Sequence, residues 1–159
     1  NSGSMLSVNE PGAEVWISPA SNPDRKLKFT WELIRIGETL VGINTALPNK
    51  MVSHAIEDGT ISELSGYATL RNEVKYGKNS RIDILLEDDK KPKCYVEVKN
   101  VTLRRDLTKG APAEFPDSVT SRGTKHLAEL SDMVAEGHRA VMVYLVQRED
   151  ADSFIRAKY

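Results

Sequence analysis

The sequence predicts a mixed α/β (α+β) fold in two parts, a small barrel of β-strands followed by a sheet flanked by helices. Two observations lead to this prediction. Residues 12–43 hold short strand-like runs separated by turns with Gly and Pro, which is typical of a small barrel. After residue 44 the spacing of apolar residues predicts the order helix, three antiparallel strands, helix and strand. We therefore predict a barrel-like domain at residues 1–43 and an α/β domain at residues 44–159.

Three strands are predicted in the barrel-like domain, at residues 14–18, 29–36 and 39–43. The loop before the second strand carries Arg25 and Lys26, and aromatic residues follow within that strand. Basic loops beside aromatic rings can hold a nucleic-acid strand through charge and stacking. Alternatively, Trp16 and Trp31 fill the small core, which is the more common use of such side chains.

The α/β domain is predicted to begin with a helix after residues 44–49. Asn44 and Thr45 can cap a helix, Pro48 suits a first helical turn, and Gly59 supplies a stop. The apolar residues expected on its buried face are Leu47, Met51, Ala55 and Ile56. A strand at residues 70–76 should follow.

Residues 80–101 predict a hairpin of two apolar strands joined by a charged turn around Lys90. In one register, residues whose numbers sum to 180 lie opposite each other, so the apolar residues of one face meet and Asp83 lies opposite Glu97. That register also places Arg81 opposite Lys99, a like-charge pair. A slip of two residues avoids this pair and brings Asp83 across from Lys99. The three residues cluster in either register.

A second helix is predicted to start at a cap on Asp117 or Ser118 and to end before Gly137. The residues expected to pack on the sheet are Val119, Gly123, Leu127, Leu130 and Val134. Residues 139–146 predict a buried strand, and the final residues predict the start of another helix.

Asp83, Glu97 and Lys99 are the candidate catalytic residues. Two carboxylates about 4 Å apart repel by roughly 1–4 kcal/mol, so a cation is expected to offset them. Oxygen ligands of this kind suit Mg²⁺, or Mn²⁺, beside a lysine that faces a phosphate, which is a set used for phosphodiester hydrolysis. The alternative is a solvated strand face with an incidental salt bridge. A second Glu-x-Lys, Glu73-Val74-Lys75, lacks the preceding apolar strand with its aspartate.

Asp83, thirteen intervening residues and then Glu97-Val98-Lys99 resemble the PD-(D/E)xK nuclease signature. The stretches VWISPASNPDRKLKFTWELI, SELSGY, YVEVKNVTL and FPDSVTSRGTKHLAEL resemble the bacterial and archaeal sugar fermentation stimulation protein A family, and this resemblance covers nearly the whole chain. It implies a partial OB-like β-barrel followed by a PD-(D/E)xK restriction-endonuclease-like mixed sheet flanked by helices. Because family members are longer, it also implies missing segments at both ends.

The resemblance and the charged loops add residues to the candidate site. PD-(D/E)xK proteins often place an extra acidic group near the end of the first helix, and Glu63 within SELSGY resembles this third metal ligand best. The resemblance around SRGTKHL implies substrate contacts by Arg122, Lys125 and His126. Arg104 and Arg105 lie in the loop at residues 101–109, which would hold a phosphate backbone or else form a flexible charged loop.

Composition limits these hypotheses. The net charge is −1, so any nucleic-acid surface must be local. The one cysteine, Cys94, lies on the apolar face of a strand, which fits core packing in a reducing cytoplasm. No apolar run approaches the ~20 residues of a membrane span, so we expect a cytoplasmic protein.

The resemblance implies a DNA-binding protein, with duplex or single-stranded DNA as partner and a Mg²⁺-dependent phosphodiesterase, or nuclease, site. The alternative is a non-catalytic DNA-binding transcriptional regulator of sugar-utilisation genes on a nuclease fold.

Overall fold

A computed structural model describes residues 5–118 and 120–157. The elements in chain order are β1 (Val15–Pro19), β2 (Phe29–Ile36), β3 (Thr39–Gly42), α1 (Pro48–Glu57), a 3-10 helix (Ser62–Leu64), β4 (Thr69–Tyr76), β5 (Ser80–Asp88), β6 (Lys91–Val101), β7 (Ala113–Phe115), α2 (Ser121–Ala135), β8 (Arg139–Val146) and β9 (Phe154–Arg156).

The chain forms two compact units. The first contains the segment up to Thr45, Asn100–Ser118 and the segment from Val146 onwards. The second contains Ala46–Lys99 and the segment that ends at Leu145. The first unit therefore includes later segments of the chain as well as the barrel-like domain predicted at residues 1–43.

The first unit contains an antiparallel sheet in the order β1-β2-β3. The bounds of β2 are those predicted, β1 is displaced by one residue, and β3 ends one residue early. The core of the unit is formed by Val8, Ile34, Ile36, Val41 and Ile43. The register of the β1–β2 pair shifts between Trp16 and Ile17, and beyond this irregularity Phe29 and Trp31 of β2 are exposed.

The end of the chain differs from the prediction, because residues 154–156 form β9 and not a helix. β9 pairs in parallel with β7, with Ala113 opposite Phe154 and Phe115 opposite Arg156. A run of three residues is too short to show a helical or strand period, and the partner strand lies far away in the sequence. The pairing, and not the local pattern, determines this element.

The second unit contains a sheet in the order β4-β5-β6-β8, in which β4, β5 and β6 are antiparallel as predicted. Ile84 pairs with Val96 and Leu86 with Cys94, which confirms the register in which numbers sum to 180. A bulge after Leu86 then adjusts the turn. The slip of two residues does not occur.

Two apolar clusters involve this sheet. One joins α1 to the sheet and contains Val52, Ile56, Leu64, Ile84, Leu86, Cys94, Val96 and Val98. The other joins α2 to the sheet and contains Tyr76, Ile82, Leu85, Tyr95, Leu130 and Met133. The sheet therefore buries apolar side chains against both helices.

The buried faces of both helices differ from the predicted stripes. Leu47 is the N-cap of α1 in place of Asn44 or Thr45, and Leu47 and Met51 are exposed while Val52 and Ile56 are buried. The inward face is thus rotated by about one residue, which is ~100° on a helix.

Thr120 caps α2 in place of Asp117 or Ser118, since its hydroxyl oxygen accepts from the Gly123 N–H at 3.0 Å. Leu127 and Val134 are exposed, whereas Leu130 is buried as predicted. The buried residues of α2 also include Glu129 and Met133, and Val119 of the predicted stripe lies outside the described residues. Within the described ranges, neither helix has the length and apolar character needed to cross a bilayer.

Candidate functional site

Asp83 and Glu97 occupy matching positions on the neighbouring strands β5 and β6. The pairing of β5 with β6 reaches Ile84 and Val96, and Asp83 and Glu97 are the next residue on each strand. The half-buried Asp83 carboxylate accepts from the Val98 backbone N–H at 2.8 Å through Oδ2. The antiparallel hairpin itself therefore brings the two predicted carboxylates together.

Glu97 is a buried acidic residue whose two carboxylate oxygens differ in their hydrogen bonds. Its exposed fraction is 3%. Oε1 accepts from Lys99 Nζ at 2.6 Å and lies 2.8 Å from His126 Nδ1. Oε2 is buried, and no atom among the described residues forms a hydrogen bond with it. Burying a carboxylate oxygen without a hydrogen-bond donor costs free energy of folding, so Glu97 can gain from a further ligand at Oε2.

The electrostatics of Asp83 also indicate crowding of negative charge. Burial raises the pKa of Asp83, and the charges of Glu97 and Glu73 raise it further. Hydrogen bonds from the Val98 backbone and the Asn49 side chain oppose this rise. A cation beside Asp83 would favour its charged form.

Asn49 is a site residue that the sequence analysis missed, and Glu73 is one that it left open, on a solvated or site-facing side of its strand. In the β4–β5 ladder Asn72 pairs with Ile84 and Val74 with Ile82, so Glu73 lies across from Asp83. Asn49 Nδ2 donates to Glu73 Oε1 at 3.1 Å and to Asp83 Oδ1 at 2.9 Å. The signal was the second Glu-x-Lys at residues 73–75, but only the pairing of β4 with β5 gives it meaning.

These groups fit a hard divalent cation held by few protein ligands. No set of three His, Cys, Asp or Glu side chains in the described residues is placed to hold a metal ion. Mg²⁺ and Mn²⁺ need no such set, because Mg²⁺ usually takes one or two carboxylates and keeps several waters. The unpaired Oε2 of Glu97 and the crowded carboxylate of Asp83 are suitable ligands.

Glu63, the predicted third metal ligand, forms hydrogen bonds with Ser62 and Arg139. It lies in the 3-10 helix, where its backbone carbonyl accepts from Arg139 Nη1 at 2.8 Å and its carboxylate accepts from the Ser62 hydroxyl at 3.3 Å. The acidic neighbour that the structure places beside Asp83 is Glu73.

Of the three α2 residues predicted to contact substrate, the structure brings His126 to Glu97. Lys125 is exposed, donates to the Asn79 carbonyl at 3.4 Å and lies 3.9 Å from Glu129 Oε1. Arg122 lies in α2, and its side chain is outside the described part of the chain.

Arg104 is a correction to the predicted nucleic-acid contacts of the first unit. Only 3% of it is exposed. Its guanidinium donates to the carbonyls of Ala111 and Thr108 and to Asp150 Oδ2. Because Arg104 is buried and hydrogen-bonded inside the unit, it is not available to a phosphate backbone.

The other predicted basic contacts of the first unit are exposed. Arg105 forms an ion pair with Glu114 at 2.9 Å. Arg25 donates to the Thr30 hydroxyl at 2.9 Å, and Lys26 is exposed in the same loop.

Two family models match the chain: the SfsA N-terminal OB domain over residues 1–43 and the sugar fermentation stimulation protein RE domain over residues 46–159. The chain is 61% identical over 164 residues to the sugar fermentation stimulation protein homolog of Rhodospirillum rubrum, covering 99% of this chain and 67% of that protein. It is 63% identical over 154 residues to the homolog of Paramagnetospirillum magneticum, covering 97% of this chain and 64% of that protein.

Among solved structures, the fold is similar to that of Pyrococcus furiosus SfsA in complex with Ca²⁺. The TM-score is 0.80 and the sequence identity 28%, over 94% of this chain and 61% of that chain. The OB-domain match and this structural neighbour confirm the predicted fold class. The chain spans 64 to 67% of the length of these curated relatives, and it belongs to the sugar fermentation stimulation protein (SfsA) family.

Proposed function

We propose that the protein binds DNA and carries a divalent-cation-dependent phosphodiesterase site formed by Asp83, Glu97 and Lys99. The observation that carries this proposal is the buried Glu97 Oε2, which has no hydrogen-bond partner among the described residues and belongs to a carboxylate whose charge acts on Asp83. A purely structural salt bridge to Lys99 would not require this second oxygen to be buried unpaired.

The residues of the site would have distinct roles. Asp83 and Glu97 would hold Mg²⁺ or Mn²⁺, and the P. furiosus relative in complex with Ca²⁺ supports a divalent cation in the family. When bound, the cation would supply Lewis-acid polarisation of a phosphate and lower the pKa of water. Lys99 would orient the nucleophile or stabilise charge that develops on the phosphate. His126 would help to hold Glu97 through Oε1.

The test is cleavage of single-stranded and duplex DNA by the purified protein with Mg²⁺, Mn²⁺ or a chelator. We expect cation-dependent cleavage that falls by about 10²–10³-fold in Lys99→Ala, the usual cost of removing one charge-stabilising donor. Lys75→Ala is the matched control, because Lys75 belongs to the other Glu-x-Lys and is exposed opposite Arg81. Equal cleavage by wild type and Lys99→Ala, or none by either, would contradict the proposal.

A non-catalytic DNA-binding regulator of sugar-utilisation genes is the second candidate. The observation that favours it lies on β2, where Phe29 is 55% and Trp31 37% exposed. Trp31 is therefore not part of the small core, and Arg25 and Lys26 precede it in the adjoining loop. Exposed aromatic rings beside basic residues suit the stacking of bases along a strand.

This candidate predicts DNA binding that depends on those residues and not on Lys99. We expect the double variant Arg25→Ala/Lys26→Ala to bind fluorescent DNA more weakly, with a slope of log K against log salt that is smaller by about 1–2. The exposed Lys90 in the β5–β6 turn gives a single-charge control, Lys90→Ala. An unchanged slope in the double variant would remove this loop from the interface.

A further inference from the structure

Three buried oxygen atoms in the second unit have no hydrogen-bond partner among the residues described. They are the Tyr76 hydroxyl, Glu97 Oε2 and Glu129 Oε2. Tyr76 ends β4, Glu97 lies in β6, and Glu129 belongs to α2. The first can donate one proton, and the other two are acceptors.

The three residues lie in the region where α2 packs on the sheet, and the charges of Glu97 and Glu129 act on Tyr76. Tyr76 packs in the apolar cluster that contains Leu130 of α2. Glu97 contacts His126, which lies one helical turn before Glu129 on the same face of α2. Glu129 in turn lies against the residue that follows Tyr76, since a Cβ on Gly77 would be 3.2 Å from its Cδ.

The Tyr76 hydroxyl is suited to act as the donor. Burial raises the pKa of Tyr76 to about 12, and the charges of Glu97, Glu129 and Asp83 contribute in that order. The hydroxyl therefore keeps its proton at neutral pH. One proton does not satisfy two carboxylate oxygens, whereas a buried water typically forms about three hydrogen bonds to such groups.

We propose that a water held by the Tyr76 hydroxyl, Glu129 Oε2 and Glu97 Oε2 fixes the Glu97 carboxylate for its cation, which makes Tyr76 a positioning residue of the candidate site. This inference rests on the proposed function in that Glu97 is the ligand. A carboxylate oxygen has two lone pairs, so Oε2 can accept from the water and still bind a cation. Glu129 anchors the water to the β4–β5 turn, where it also interacts with Ser80.

The first test is Mn²⁺ binding to the purified protein by isothermal titration calorimetry. Partners that hold a metal ligand typically change metal affinity by about 10–100-fold, so Tyr76→Phe is expected to weaken Mn²⁺ binding at least about tenfold. Tyr95→Phe is the matched control, because the Tyr95 ring lies 5.4 Å from that of Tyr76 in the same cluster. The charged groups near Tyr95 are Lys93, Glu136 and Glu87 and not the site carboxylates, so its variant should bind Mn²⁺ as the wild type does.

A structural role alone would lower the thermal midpoint of Tyr76→Phe and leave the Mn²⁺ dissociation constant of the folded protein unchanged. Equal dissociation constants for wild type and Tyr76→Phe would therefore overturn the inference while leaving the proposed function intact. If the wild type binds no Mn²⁺, the result contradicts the proposed function, and with it the inference that rests on it. A high-resolution crystal structure tests the bridge independently: we expect one water within hydrogen-bond distance of all three oxygens, and a dry gap would refute it.

Discussion

Asp150 holds two buried guanidinium groups in the first unit, and its charge should stabilise the fold. Arg148 Nε donates to Oδ1 and Arg104 Nη1 to Oδ2, each at 2.6 Å. Both arginine side chains are almost fully buried, whereas the Asp150 side chain is 20% exposed. Hydrogen bonding to Arg148 is the largest cause that lowers the pKa of Asp150 from 3.8 to about 2.

The size and sign of the effect follow from that lowered pKa. A carboxyl group whose pKa is lower in the folded state stabilises the fold when it is ionised. The difference between 3.8 and about 2 corresponds to about 2 kcal/mol, present above the unfolded pKa and lost as the pH falls through the folded value. Because Asp150→Asn removes this charge at every pH, we expect its free energy of unfolding at pH 7 to be about 2 kcal/mol lower.

Urea denaturation followed by circular dichroism at pH 7 and pH 3 measures this effect. The difference between wild type and Asp150→Asn should shrink toward pH 3, because there the Asp150 carboxyl of the unfolded chain, with its pKa of 3.8, is largely protonated while that of the folded protein is still mostly ionised. The nearby exposed Asp152 provides the control Asp152→Asn, which should match the wild type. Equal stability of wild type and Asp150→Asn at pH 7, or a difference that does not shrink in acid, would refute the reasoning.

Two further predictions concern the second unit. Gly77→Ala should lower the free energy of unfolding by about 1 kcal/mol or more, because Gly77 has φ +55° and a Cβ would approach Glu129 Cδ. Gly110→Ala is the control for backbone strain alone, because Gly110 has φ +82° and a Cβ there would have no atom within 4 Å. If both variants lose the same free energy of unfolding in chemical denaturation, the contact with Glu129 has no role. Asn49→Ala should raise the pKa of Asp83 further, because the amide hydrogen bond lowers it. Carboxyl NMR titration measures that pKa, and an unchanged value would show that the hydrogen bond is unimportant.

The β5–β6 hairpin is the part of the site that the sequence predicts well. Alternation of apolar residues fixes which side chains share a face, and a charged turn near Lys90 fixes which residues lie opposite. The like-charge pair of Arg81 and Lys99 suggested a slip of two residues. The ladder keeps Ile84 opposite Val96, and its pairing ends there, before it reaches Arg81 and Lys99.

The sequence pattern does not predict the role of residues whose partners lie far away in the chain. Arg104 lies in a charged loop, and its residue type is one that often contacts phosphate. In the structure it is buried and donates to Asp150 and to two backbone carbonyls. Glu73 has an ordinary local pattern and reaches the site only through the pairing of β4 with β5. In both cases the deciding contact joins segments whose pairing no local period reveals.

Buried charged groups are fully paired in the first unit and incompletely paired in the second among the described residues. This contrast is the strongest physical reason to locate function in the second unit. In the first unit the buried Arg148 and Arg104 meet the carboxylate of Asp150 and backbone carbonyls, so their charge contributes to stability. In the second unit Glu97 is buried, and one of its oxygens has no hydrogen-bond partner in the described part of the chain. Glu73 adopts φ 55° within a strand beside Asp83. Such departures from local rules persist at sites that a ligand completes, since there the ligand supplies the missing interaction.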